Sequence, residues 1–172
     1  MIDLSLTNNR WKELRDEIFE VQEWAREKTE SHLRRRVFLR TIAANIEGCV
    51  NMLAYLLVSN PTRLSAAELS ILNETQYELK NTGEPKEKER YYPCIPRWRL
   101  IVKIMERELG ASHWEVDFAD NDFNNFKMIF TVRNRIAHPK IDASLNIEDK
   151  EMDSCVKGYQ WFIKNYQGIC KV

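Results

Sequence analysis

The sequence predicts an all-α protein, an up-and-down bundle of four main helices with one or two shorter ones. Three observations carry this. Glycine and proline number only five each in 172 residues, too few for a turn-rich β fold. Apolar residues recur at spacings of three and four along most of the chain. No run alternates apolar and polar residues for long enough to read as a strand. The length fits one domain, residues 1–172, with a sizeable core.

Asn8 or Asn9 caps a first helix that runs to about residue 31. Its Trp11, Leu14, Ile18, Val21, Trp24 and Ala25 form one face, and Lys, Arg, Asp and Glu fill the other. A second helix covers residues 33–59, closed by Asn60-Pro61. It is apolar over more than half its circumference, which predicts a central position. Ser65-x-x-Glu68 is a capping-box start for a third helix ending near Lys80. Residues 81–93 are polar, with alternating Lys and Glu, Gly83 and two prolines, and read as an exposed loop. Pro96 suits the first turn of a fourth helix that stops at Gly110. Trp98 falls on its apolar face and belongs to the core. Asp120 or Asn121 caps a fifth helix, and a sixth begins near Asn146 or Ile147, with Gly168 just past its end.

The composition is 44% hydrophobic and 30% charged, with Lys+Arg and Asp+Glu balanced at 26 each. A polyanion site must then be local and not a property of the whole surface. Cys49, Cys94, Cys155 and Cys170 form no CxxC pair, and neither His32 nor His113 has a partner at useful spacing. These cysteines read as reduced thiols in a cytoplasmic protein, with no metal site and no cofactor. The first ten residues lack a signal-peptide core. The stretch 42–58 holds Asn45, Glu47 and Asn51 and is too short and too polar for a membrane span.

Chemistry concentrates at the end of the fifth helix, in Arg133-Asn134-Arg135-Ile136-Ala137-His138-Pro139. Arginine is permanently charged and shaped for phosphate. Histidine exchanges a proton near neutral pH. Residues four apart lie ~40° apart around a helix and residues three apart ~60°, so Asn134 and Arg135 share a face with His138. Arg133 lies ~140° round an ideal helix. Pro139 pushes His138 out of helical geometry, which frees the imidazole to swing toward Arg133 or outward. The plain alternative is a helix C-terminus decorated with cations that its dipole favours.

Arg133-Asn134-Arg135-Ile136-Ala137-His138 resembles the R-x4–6-H signature of HEPN domains. A polar residue often follows the arginine there, and Asn134 fits. The all-helical chain, the aromatic and aliphatic helix before the motif and the following Pro139 are similar as well. The resemblance implies a metal-independent endoribonuclease, of a kind often found in toxin–antitoxin or phage-defence systems. It also implies a homodimer in which two motifs face one composite cleft. Arg133 and His138 become the catalytic candidates, with Asn134 in support. Arg135, on charge alone, is a candidate phosphate contact, as are Lys140 and Arg40. Arg40, Glu47 and Asn51 lie along one stripe of the second helix at spacings of seven and four. Glu47, in an apolar surround, wants a cation and is read as orienting Arg133 or Arg135, with Asn51 beside it. Arg34-Arg35-Arg36 with Arg40 is a basic knot suited to an RNA backbone, or to pairing with Glu27 and Glu30. Two other readings stand beside the nuclease: a silent HEPN-like module that binds RNA, nucleotide or protein, and a plain helical interaction domain.

Overall fold

The computed structural model describes residues 5–28, 30–59, 63–109 and 115–170. Among the described residues, six helices and one small antiparallel sheet follow in the order α1 (Ser5–Arg26), α2 (His32–Val58), α3 (Ala66–Leu72), β1 (Thr75–Leu79), β2 (Pro85–Glu89), α4 (Cys94–Leu109), α5 (Asn121–Ala137) and α6 (Asp149–Cys170). The class is all-α and the architecture a helical bundle.

α2 is the axis. It packs against α1, α3, α4, α5 and α6, and Leu39, Ile42, Ile46, Val50 and Leu53 along it are buried. The whole helix, 27 residues, is long and apolar enough to cross a membrane by length and composition alone. That exceeds the reading of its 42–58 stretch, yet 56% of its apolar window is buried inside the bundle. Buried Asn45 ties three helices together at its centre. Its amide donates to the Leu14 carbonyl at 3.0 Å, and its Oδ1 accepts from the Tyr159 hydroxyl at 3.1 Å.

α5 and α6 share an aromatic core. Phe126 stacks on Phe162 at 5.6 Å, and Phe123 meets Trp161 at 5.3 Å. Gly158 permits the closest approach. A Cβ there would lie 2.4 Å from the Asn125 carbonyl carbon and from the Phe126 nitrogen. Trp98 is wholly buried, as its apolar face predicts.

Several boundaries differ from the sequence reading. α1 starts at Ser5, so Asn8 and Asn9 lie inside the helix and do not cap it, and it ends at Arg26. Asn60, Pro61, Gly110 and His113 lie outside the described residues. α3 begins on its capping box, Ser65 Oγ accepting from the Glu68 amide at 3.2 Å and Glu68 Oε2 from the Ser65 amide at 2.7 Å. It ends at Leu72, well before Lys80, because Glu74 turns left-handed at φ 53°. The supposed loop is a hairpin, with Thr75 opposite Glu89 and Leu79 opposite Pro85. Gly83, at φ 82°, makes its turn. α6 starts at Asp149, since Ile147 is buried in the connection before it, and continues through Gly168.

Candidate functional site

Asp120 caps the start of α5, its Oδ1 accepting from the Asp122 amide at 3.0 Å. The helix ends at Ala137, where Pro139 forces His138 to φ −128°, ψ 64°. The His138 amide still donates to the Asn134 carbonyl at 2.9 Å. Arg40 Nη2 donates to the Ile136 carbonyl at 2.9 Å, giving a last-turn acceptor a cationic partner. Arg40 therefore caps α5 and is not among the cleft-lining residues.

The rest of the basic knot is also committed. Arg34 pairs with Glu27 at 3.0 Å and lies over the Trp24 ring at 4.7 Å. Arg35 donates to the Ile147 carbonyl at 2.7 Å and reaches Asp149 at 2.6 Å. Arg36 donates to the Leu145 carbonyl at 3.2 Å. His32, given no role by spacing, accepts from the Ile147 amide at 3.3 Å. α2 thus clamps the connection that follows His138. Arg135 completes the clamp from α5: two nitrogens meet the two Glu151 oxygens at 2.8 Å each, and Nη2 also reaches the Asn146 carbonyl at 2.9 Å. This paired geometry raises the Arg135 pKa and, with the Arg135 hydrogen bond as the leading cause, lowers that of Glu151.

On the other side of the same turn lies an open cleft of about 830 Å³. Glu47, Tyr91, Pro93, Arg133, Asn134, Arg135, His138, Lys140 and Ala143 line it. Arg133 is half-buried and donates to Glu47 Oε1 and, at 3.1 Å, to Asn134 Oδ1. Its guanidinium sits 5.8 Å from the Phe130 ring centroid. Glu47 and Phe130 therefore fix the direction of that charge. Among the described residues, the His138 imidazole and the Lys140 ammonium have no hydrogen-bond or ion-pair partner, and both residues are exposed.

Six of the sequence-predicted site residues line this cleft; Arg40 and Asn51 do not. Asn51 accepts from Arg97 Nη1 at 2.7 Å. It borders a recess of about 100 Å³ that shares Glu47 and Tyr91 with the cleft and adds Glu74, Cys94 and Arg97. Arg97 is buried and also contacts Glu74 at 3.2 Å and the Leu72 carbonyl at 3.0 Å. Burial pushes the Cys94 thiol up to about 12, and the Glu47 charge adds to this. A thiol held there remains protonated at neutral pH and is a poor nucleophile. Tyr91 and Pro93 went unassigned in the sequence. The available signal was a Tyr-Tyr-Pro run, unusually aromatic for a polar segment.

The fold and site define a helical bundle with an open cleft at one helix C-terminus, lined by two anchored arginines and, among the described residues, an unpaired imidazole and an unpaired ammonium. Compared with known protein families, curated proteins and solved structures, the chain matches none.

Proposed function

We propose that the chain is a HEPN-type, metal-independent endoribonuclease, a toxin or phage-defence component that works as a homodimer and answers to a protein antitoxin. One observation carries the reading: Arg133, Asn134 and His138 line a single open cleft in which the arginine is held by Glu47 and the imidazole is unengaged. In the reaction, the ribose 2′-oxygen forms a bond to the adjacent phosphorus and the bond from phosphorus to the 5′-oxygen breaks. One imidazole takes the 2′-hydroxyl proton, and an imidazolium, His138 of the second copy, protonates the leaving 5′-oxygen. Arg133 faces the charge that builds on the phosphorane. Tyr55 of α2 and Met128 of α5 are exposed, which leaves apolar surface on both helices for the second copy.

The test incubates wild type and His138→Ala with single-stranded RNA in EDTA. Cleavage by wild type alone supports the enzyme, and cleavage by both assigns it to a contaminant. A second reading, a silent module that binds RNA or nucleotide, is favoured by the pairing of Arg133 with Glu47 and of Arg135 with Glu151, which leaves Lys140 as the uncommitted permanent charge of the cleft. RNA retention without cleavage by wild type would select it.

A further inference from the structure

The cleft is lined from separate segments. Arg133, His138 and Lys140 line it from the end of α5 and the turn after it, where Ala143 also sits, and Tyr91 and Pro93 line it from the connection between β2 and α4. Tyr91 is the larger of these last two. It is 71% exposed, and among the described residues its ring and hydroxyl have no aromatic, cationic or hydrogen-bond partner.

An exposed aromatic on a slack loop would carry little meaning. The backbone around Tyr91 is instead pinned on both sides. The Arg90 amide donates to the Glu74 carbonyl at 2.7 Å, and the Tyr92 amide to Glu74 Oε1 at 3.4 Å. The Arg90 guanidinium lies over the Tyr92 ring at 5.2 Å and donates to Gln76 Oε1 at 3.0 Å. Pro93 follows with fixed φ, and its carbonyl accepts from the Arg97 amide at 3.3 Å. Glu74 is in turn held by buried Arg97. The chain thus anchors both neighbours of a ring that it leaves bare.

An exposed aromatic ring and basic side chains lining one cleft are the arrangement that receives a single-stranded nucleotide, with the base on the ring and the phosphate on the basic groups. A cleft of about 830 Å³ has room for it. We infer that Tyr91 is the stacking platform for a nucleobase adjoining the phosphate that Arg133, His138 and Lys140 receive. The inference rests on the ribonuclease reading. It adds that binding is base-dependent and sequence-tolerant, because every base has a π face.

The probe is a fluorescein-labelled 2′-O-methyluridylate hexamer, which lacks the attacking hydroxyl and stays intact, with a base-free ribose-phosphate hexamer as its control. Binding is read by fluorescence anisotropy for wild type, Tyr91→Ala, Tyr91→Phe and Tyr91→Trp, and thermal melting of each variant checks the fold. Tyr91→Ala is expected to weaken binding about tenfold, while Phe and Trp retain it. Removing the bases should weaken wild type by a similar factor and leave Tyr91→Ala unchanged, a coupling that a merely structural role does not produce. If wild type cleaves RNA while Tyr91→Ala binds the hexamer as tightly as wild type, the stacking inference fails and the nuclease reading stands. If wild type neither cleaves RNA nor binds the hexamer, both fall.

Discussion

On one flank of the last turn of α5, Arg135 gives two nitrogens to Glu151, Arg40 caps the Ile136 carbonyl, and Arg35 and Arg36 hold the chain at 145–149. On the other flank, Arg133 rests on Glu47 and Phe130 while His138 and Lys140 face open space. Arginine stands on both flanks. The difference lies in what surrounds them. A guanidinium whose donors meet carboxylates and carbonyls in fixed geometry holds the fold together, whereas a cation beside an open volume remains available to an incoming anion.

The largest effect separating the flanks should come from Arg133→Ala. RNA cleavage is expected to fall roughly 100-fold or more, a far larger effect than the stability lost with the half-buried Glu47 pair. A rate close to that of wild type would place the chemistry elsewhere. Arg135→Gln should do the reverse. It leaves Glu151 without its bidentate partner and is expected to cost about 1–2 kcal/mol of stability by chemical denaturation, while hexamer affinity changes little. If affinity instead collapsed in a variant of unchanged stability, the two arginines would have to be exchanged in role.

Acidification addresses the same pair. The Glu151 pKa is lower in the folded protein than its ordinary 4.5. Its contribution is therefore present in full above that value and is lost as pH falls through the depressed folded value. Melting followed over this range should drop less steeply for Glu151→Gln than for wild type; parallel curves would remove the pair from the stability account. The smallest effect concerns salt. Lys140→Gln should flatten the dependence of hexamer affinity on salt by about 0.7 in the log–log slope, one phosphate contact. Arg40→Gln should leave that slope intact and lose about 1 kcal/mol of stability with its capping bond.

How far the sequence revealed each flank follows from the range of the forces involved. Local signals were legible: the Ser65 box, the Asp120 cap, Pro96 in the first turn of α4 and the helix end forced by Pro139. So was the broad apolar face of α2. The hairpin was not: β1 sets Tyr77 and Leu79 against Gln76 and Glu78 over only five residues and leaves both apolar side chains exposed, and β2 is charged and buries no side chain. An alternation that short, facing a strand with none, is too weak to separate from a helix end. The cluster at 133–138 could be located by residue type, but its partners could not. Glu47 lies 86 residues before Arg133, and its stripe on α2 was compatible with either arginine. Only packing of α2 against α5 chooses Arg133. Tyr91 was hidden for a similar reason: a wall of a cleft is a property of two segments, and neither shows it alone.

Gly158 has a mechanical consequence for this site. Where α6 crosses α5, backbone meets backbone, with no yielding layer of side chains between them. Two rods joined at that spacing have little room to slide or roll, so the end of α5 that carries Arg133 is held to α6 as one unit. The other side of the opening, Tyr91 and Pro93 between β2 and α4, is tied through its neighbours to Glu74 and Arg97, so the cleft is held in shape from both sides.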